Sequence, residues 1–213
     1  MEAAFKVKNH PYLAGFVLGN LWVLSLLFFD HIPDLGWTSD FSTLLPAGLA
    51  STILVIAVTE VVGGETKARL VFRKWTNPLP GCSAFTEFGP RDPRVDMRVL
   101  VERFGPVLPT EPGAQNKLWY RLLKLNEERP SIAYAHQYYL LMRDITFVTV
   151  LLIVAAVVAA LVAGSGADDW LVAAALLVGE FLLAMRAAES LGRDLVRNVL
   201  AEESAKEQKR ACA

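Results

Sequence analysis

Glu180 stands in the apolar half of the stretch WLVAAALLVGEFLLAMRAAESLGRDLVRNVL, residues 170–200, with no Lys or Arg three or four positions to either side. A lone carboxyl in such a place has two uses. Kept neutral, it hydrogen-bonds inside a helical bundle; reached by water or a cation, it ionises and serves an ion path, a proton site or a subunit interface. Asn20, in the first apolar stretch, is a polar side chain at comparable depth and the candidate partner.

A second group of polar residues falls where apolar stretches end: Glu60, Arg143, Asp144, Arg186, Glu189 and Arg193. Arg186 with Glu189 and Glu189 with Arg193 are neighbours on one helix surface, so a structural ionic collar is the favoured reading and a gate the sharper one. His136, followed by Tyr138, Tyr139, Arg143 and Asp144, marks with Trp119 and Trp75 a candidate ligand or partner face. Catalysis through His136 and Asp144 has little behind it. The three histidines lie in different regions, and there is no H-x-x-x-H spacing, no nucleophile elbow and no glycine-rich phosphate loop. Cys82 and Cys212 are far apart without C-x-x-C or Cys/His spacing, so neither a disulfide nor a metal is expected. We expect a protein that is not an enzyme and needs no cofactor.

The elements that must position these groups are membrane helices. Hydrophobic residues make up 54% of the 213 positions, and the mean hydropathy is +0.36, too apolar for an ordinary soluble domain. Four windows reach the length that crosses a hydrocarbon core of about 30 Å: 12–29, 41–62, 145–164 and 170–188. The first imitates a signal peptide, but no small-x-small cleavage site follows Phe29 and three further windows come after it. By rise alone, Glu180 lies about 15 Å from Trp170, near the midplane.

Charge partition gives the orientation. Two Lys precede the first window, thirteen Lys or Arg lie between Lys67 and Arg143, and six run from Arg186 to Arg210, which accounts for all 21. The connections DHIPDLGWTSD and GSGADD hold five Asp and no base. The positive-inside rule therefore places both termini and the long central segment in the cytoplasm, with Trp37 and Trp170 in the outer aromatic belt. The bases face anionic lipid; interleaved with acids and framed by no binding motif, they give no reason to expect direct nucleic-acid binding.

Three segments follow: 1–64, a transmembrane hairpin; 65–142, a cytoplasmic loop-plus-helix domain; 143–213, a second hairpin with a cytoplasmic C-terminal helix. The first half of the insert, WTNPLPGCSAFTEFGPRDP, is too rich in Pro and Gly for a helix and reads as a loop packed through Trp75, Phe85 and Phe88. Asp92 as N-cap and Pro93 at the first position then predict an amphipathic helix ending at Gly105, Thr110 caps a second, and a third starts at Ser131 and runs into the membrane. Leu191, Leu195, Val199 and Leu200 extend the last window as an amphipathic stripe, so the two long helices form a cytoplasmic stalk that braces the insert.

Small residues at Gly15 and Gly19, at Ala155, Ala156, Ala159, Ala160 and Ala163, and at Ala175 and Gly179 exceed what one hairpin uses, so a homo-oligomer is expected. In layout the chain broadly resembles small membrane subunits or effectors of bacterial anti-phage systems. That likeness assigns no site residue; it implies a multi-pass protein of the bacterial inner membrane that couples a cytoplasmic protein partner or ligand to its bundle. An ion channel or small transporter using Glu180 and Asn20 is the alternative.

Overall fold

The computed structural model describes residues 2–28, 41–105, 107–163 and 167–211. The acidic connection with Trp37, the residues 164–166 and Cys212 lie outside the described residues. Every regular element among those described is helical.

Two helices dominate. α7, Pro130–Ala163, runs 34 residues and α8, Ala167–Ala211, runs 45; at 1.5 Å per residue they extend about 50 and about 68 Å. Both are long and apolar enough to cross a membrane, with mean hydropathy 2.6 and 1.9 over their most apolar windows. Pro130 opens α7 at a position where its missing N–H costs nothing, one residue ahead of the expected Ser131.

α1, Glu2–Phe28, and α2, Phe41–Val61, pack beside them. The second window does not end as a straight rod. At Gly63 the chain turns, and α3, Gly64–Phe72, sets off at 93° to the last turns of α2. Among the described residues there are thus two helices long and apolar enough to cross a membrane, or three if the bent pair counts as one span.

The apolar halves meet through Leu13 and Val17 of α1, Val148 and Leu152 of α7 and Leu177 of α8. Thr52, Thr59, Thr146 and Thr149 are buried there, and each donates its hydroxyl to the carbonyl four residues back, at 2.7–2.9 Å. Such back-bonding lets a polar side chain sit in an apolar layer without a second helix. On the outside, Ile53, Val154, Leu161, Leu171 and Leu183 stand exposed, a surface suited to lipid.

Below this layer the insert shares one hydrophobic core with the stalk. Phe85, Phe88, Leu100, Trp119 and Leu122 pack with Ile132 and Tyr139 of α7, Leu195, Val199 and Leu200 of α8, and Phe5 of α1. Gly192 permits the approach: a β-carbon there would lie 2.8 Å from Phe72 Cζ and 3.1 Å from Tyr139 Cε2. At full burial, each large side chain of this core contributes about 1.5–3 kcal/mol.

Three local expectations for the insert are corrected. Residues 80–91 are continuously helical: a 3₁₀ turn at Pro80–Ser83, a π turn at Ala84–Phe88 and α4, Gly89–Arg91. Pro80 sits at the first position, where proline is tolerated, and the π turn, with Gly89 N–H reaching back to the Ala84 carbonyl, widens the helix just ahead of Pro90. α5, Met97–Phe104, is capped by Asp96, which accepts from the Arg98 amide, and it ends at Gly105 with φ 111°. Asp92 instead accepts from the Arg94 amide and closes a turn four residues earlier. α6, Pro112–Asn126, is capped by Glu111, one residue past Thr110, because Pro112 takes the first helical position and Glu111 reaches the amides of Gly113 and Ala114. Those two amide bonds hold the Glu111 carboxyl below its ordinary pKa.

Candidate functional site

Glu180 lies partly exposed on α8, and its Oε2 is buried with no hydrogen-bond partner. Asn20 is buried, but its amide donates 3.1 Å to the Phe16 carbonyl of its own helix. The expected Glu180–Asn20 hydrogen bond is therefore not formed. Asn20 follows the rule of the neighbouring threonines and satisfies itself within α1.

The six boundary charges do not form one collar. They divide among three sets, each tied by a residue the sequence reading had not singled out. In the first, Glu60 at the end of α2 accepts from Lys6 at 2.9 Å and lies 3.3 Å from His10 Nε2. This joins the N-terminal end of α1 to the C-terminal end of α2.

In the second, Lys67 of α3 and Arg143 of α7 converge on Asp144. Lys67 Nζ is 2.9 Å from Asp144 Oδ1, and Arg143 Nε and Nη2 reach the same oxygen at 3.1 and 3.0 Å. All three side chains are at most 8% exposed. The 93° bend after α2 is what carries Lys67 inward, together with Ala68 and Val71, the other buried residues of α3. A buried pair of cations around one acid holds its geometry strongly, because loss of the acid strands both charges.

In the third, Glu189 of α8, 7% exposed, is shared by three arginines. Arg193 Nη2 lies 2.6 Å from Oε1, Arg73 Nη2 bonds both oxygens at 3.1 and 3.0 Å, and Arg186 Nη1 is 3.7 Å from Oε2. Arg73 holds the left-handed conformation, φ 53°, at the end of α3. That backbone state costs a non-glycine residue about 1 kcal/mol or more, and the two-oxygen contact with Glu189 offsets it. Beside this set is a cavity of about 200 Å³ lined by Arg186, Glu189, Ser190, Arg193, Asp194 and Arg197.

The expected face of His136, Trp119 and Trp75 is not assembled. His136 is buried edge-on against Phe5, with ring centroids 5.4 Å apart. Trp119 is buried over Gly81, where an added β-carbon would collide with the indole. Trp75 is 84% exposed. Phe85 and Phe88 do pack as expected, and Trp75 does not because the chain leaves the core after Arg73. Asp144 is already held by Lys67 and Arg143, eight residues along α7 from His136.

A further buried acid lies beyond the boundary on α8, with no apolar window beside it to mark it in the sequence. Glu203, 1% exposed, pairs with Arg103 of α5, accepts 2.7 Å from Asn126 of α6 and lies 3.8 Å from Lys206. It locks α5 and α6 to α8. Among the described residues no cluster of three or more His, Cys, Asp or Glu is arranged to hold a metal. Comparison with known protein families, curated proteins and solved structures returns no match for this chain.

Proposed function

We propose that the chain is a non-enzymatic, four-span membrane protein of the bacterial inner membrane, with both termini cytoplasmic, whose insert receives a protein partner or ligand and relays that event to the bundle. One observation carries this reading. The core that contains Phe85, Leu100 and Trp119 is continuous with Ile132, Leu195 and Leu200, on helices that enter the apolar layer without an internal proline. Force applied to the insert has a stiff path to the membrane layer. The lengths of α1 and α2, about 40 and about 31 Å by rise, support the two remaining crossings.

Topology is tested by cysteine labelling of intact cells. Thr38→Cys and Ser165→Cys should react with an impermeant reagent from outside, and Thr76→Cys, at an exposed insert position, only after permeabilisation. Coupling is tested with Leu100→Ala, which opens a cavity at a fully buried position against α8. Faster hydrogen exchange should spread from 97–126 into 186–200; a change confined to the insert sinks the relay.

Association into a homo-oligomer belongs to the same reading. It is supported by Gly15, Gly19 and Gly179, where an added β-carbon would meet nothing within 4 Å. Native mass measurement of wild type and Ala156→Leu tests it, and a monomeric wild type removes it. A role as membrane effector in bacterial defence is tested by survival of expressing cells under phage challenge. The second reading, an ion or proton path through Glu180, rests on its partnerless buried oxygen.

A further inference from the structure

One face of α8 changes chemistry at the end of its apolar half. Leu176 and Leu183 stand exposed at helical spacing, and the same stripe continues through Arg186, Ser190 and Arg193. Leu183 is 74% exposed and the Arg186 side chain 70%. An amphiphile lying along this stripe would place hydrocarbon on the leucines and its polar end among the arginines.

The polar end has a built frame. Three guanidinium groups share one carboxylate, so Arg73, Arg186, Arg193 and Glu189 together carry two uncompensated positive charges. Arg73 and Arg193 are fixed by close bonds to Glu189, while Arg186 is held only at 3.7 Å. Each guanidinium has five N–H donors in a planar fork that matches phosphate, and one nitrogen of each is used on Glu189. The adjoining cavity of about 200 Å³ adds the Ser190 residue; its other acid, Asp194, is paired with Arg197 at 3.6 Å. Two residues beyond Arg73, Trp75 is 84% exposed and followed by Thr76 and Asn77, also exposed. An exposed indole beside bases is the side-chain type that settles at the headgroup level of a bilayer.

We propose that the cavity beside Glu189 binds the phosphate of an anionic glycerophospholipid of the cytoplasmic leaflet, held by Arg186 and Arg193, which line it, with Arg73 adding positive charge through its bonds to Glu189 and with the acyl chains along Leu183 and Leu176. The inference rests on α8 crossing the membrane. Glu189 preorganises the arginines so that little side-chain freedom is lost when the phosphate arrives. The two excess charges select an anionic lipid over a zwitterionic one of the same chain length.

The test uses the full-length protein in detergent, with native mass spectrometry against phosphatidylglycerol and phosphatidylcholine of matched chains. Wild type should retain phosphatidylglycerol about tenfold over phosphatidylcholine. Arg186→Gln removes the loosest of the three arginines and leaves Glu189 its two close partners, so the fold should survive; the preference should fall about fivefold. Arg186→Lys, which keeps the charge but not the fork, should fall between. Absence of a preference in wild type, or a preference that Arg186→Gln leaves intact, overturns the site. Protection from thermal unfolding by soluble glycerol phosphate equal to that by the lipid overturns the lipid assignment in favour of a free phosphate ligand. Extraction by alkaline carbonate, measured separately, reports failure of the membrane reading itself.

Discussion

Lys67 Nζ and Arg143 Nη2 lie 2.9 and 3.0 Å from one and the same oxygen of Asp144, so that two buried cations depend on a single carboxylate. The geometry makes the three residues unequal. Asp144→Asn strands both charges and should cost about 3–5 kcal/mol, whereas Lys67→Met leaves the Arg143–Asp144 pair intact and should cost about 1 kcal/mol or less. Helix content followed through thermal unfolding in detergent checks the order; equal losses would mean that charge balance is not what holds this layer.

Gly81 meets the face of Trp119 with no room for a methyl group. Gly81→Ala should therefore lower stability by about 1–3 kcal/mol through overpacking, although alanine ordinarily favours a helical turn. A shift of the indole fluorescence together with a lower melting temperature is the expected signature. Unchanged melting would show that α6 moves aside freely.

Asp92 gives the insert a pH dependence with a definite sign. The hydrogen bonds from the Arg94 side chain, at 2.7–3.3 Å, are the chief cause that holds its carboxyl below the ordinary Asp pKa, assisted by the Arg94 amide. A depressed folded pKa contributes stability that is complete above the unfolded value, about 3.9, and is lost as pH falls through the folded value. Asp92→Asn should thus lower the melting temperature at pH 7, and the gap to wild type should narrow as pH falls below the unfolded value and through the depressed folded one. A gap that persists undiminished in acid would assign the loss to packing.

Glu180 has no hydrogen bond to lose at Oε2. Glu180→Leu should leave thermal stability within about 1–2 kcal/mol of wild type. If the carboxyl carries protons or ions, Glu180→Gln should abolish flux in reconstituted vesicles while leaving expression and oligomer size unchanged. Flux retained by the Gln variant ends the path reading.

How far these features were legible in the sequence depends on the range of the interaction that makes them. Window length and helical spacing are local, and α7, α8 and the Leu195–Leu200 stripe follow from them directly. Gly105 as a stop is equally local. Asp92 and Asp96 both suit an N-cap, and Pro93 fits either a first helical turn or a tight turn; which Asp caps α5 is decided by Arg94, which draws the first one aside. Residues 80–91 escaped because a π turn accommodates Pro90, a device that propensity alone does not contain.

The charged layer was legible by type and, for Arg186–Glu189 and Glu189–Arg193, by pairing along one helix; its pairings between helices were not. Glu60, Arg143, Asp144, Arg186, Glu189 and Arg193 were visible as groups at the ends of apolar windows, but Lys67, Arg73 and Lys6 supply the long-range partners. Lys67 looks like any surface lysine in GETKARLVF, and only the bend at Gly63 brings it to Asp144. Trp75 and Trp119 carry the same ring and the same local signal, yet one is core and the other is open, because burial is a property of the assembled stalk.

Cys82, buried within the insert with its thiol pKa raised chiefly by that burial, also makes the protein a timer of its own opening. A thiol in this state is slow to form the thiolate that alkylating reagents attack, so it reacts in proportion to the brief fraction of molecules in which the segment around Pro80 has come away. With Cys212 replaced, the alkylation half-life of the single native thiol would read the opening equilibrium of the insert in living membranes, without a purification step or a known ligand. Anything that docks on the insert and tightens it would lengthen that half-life.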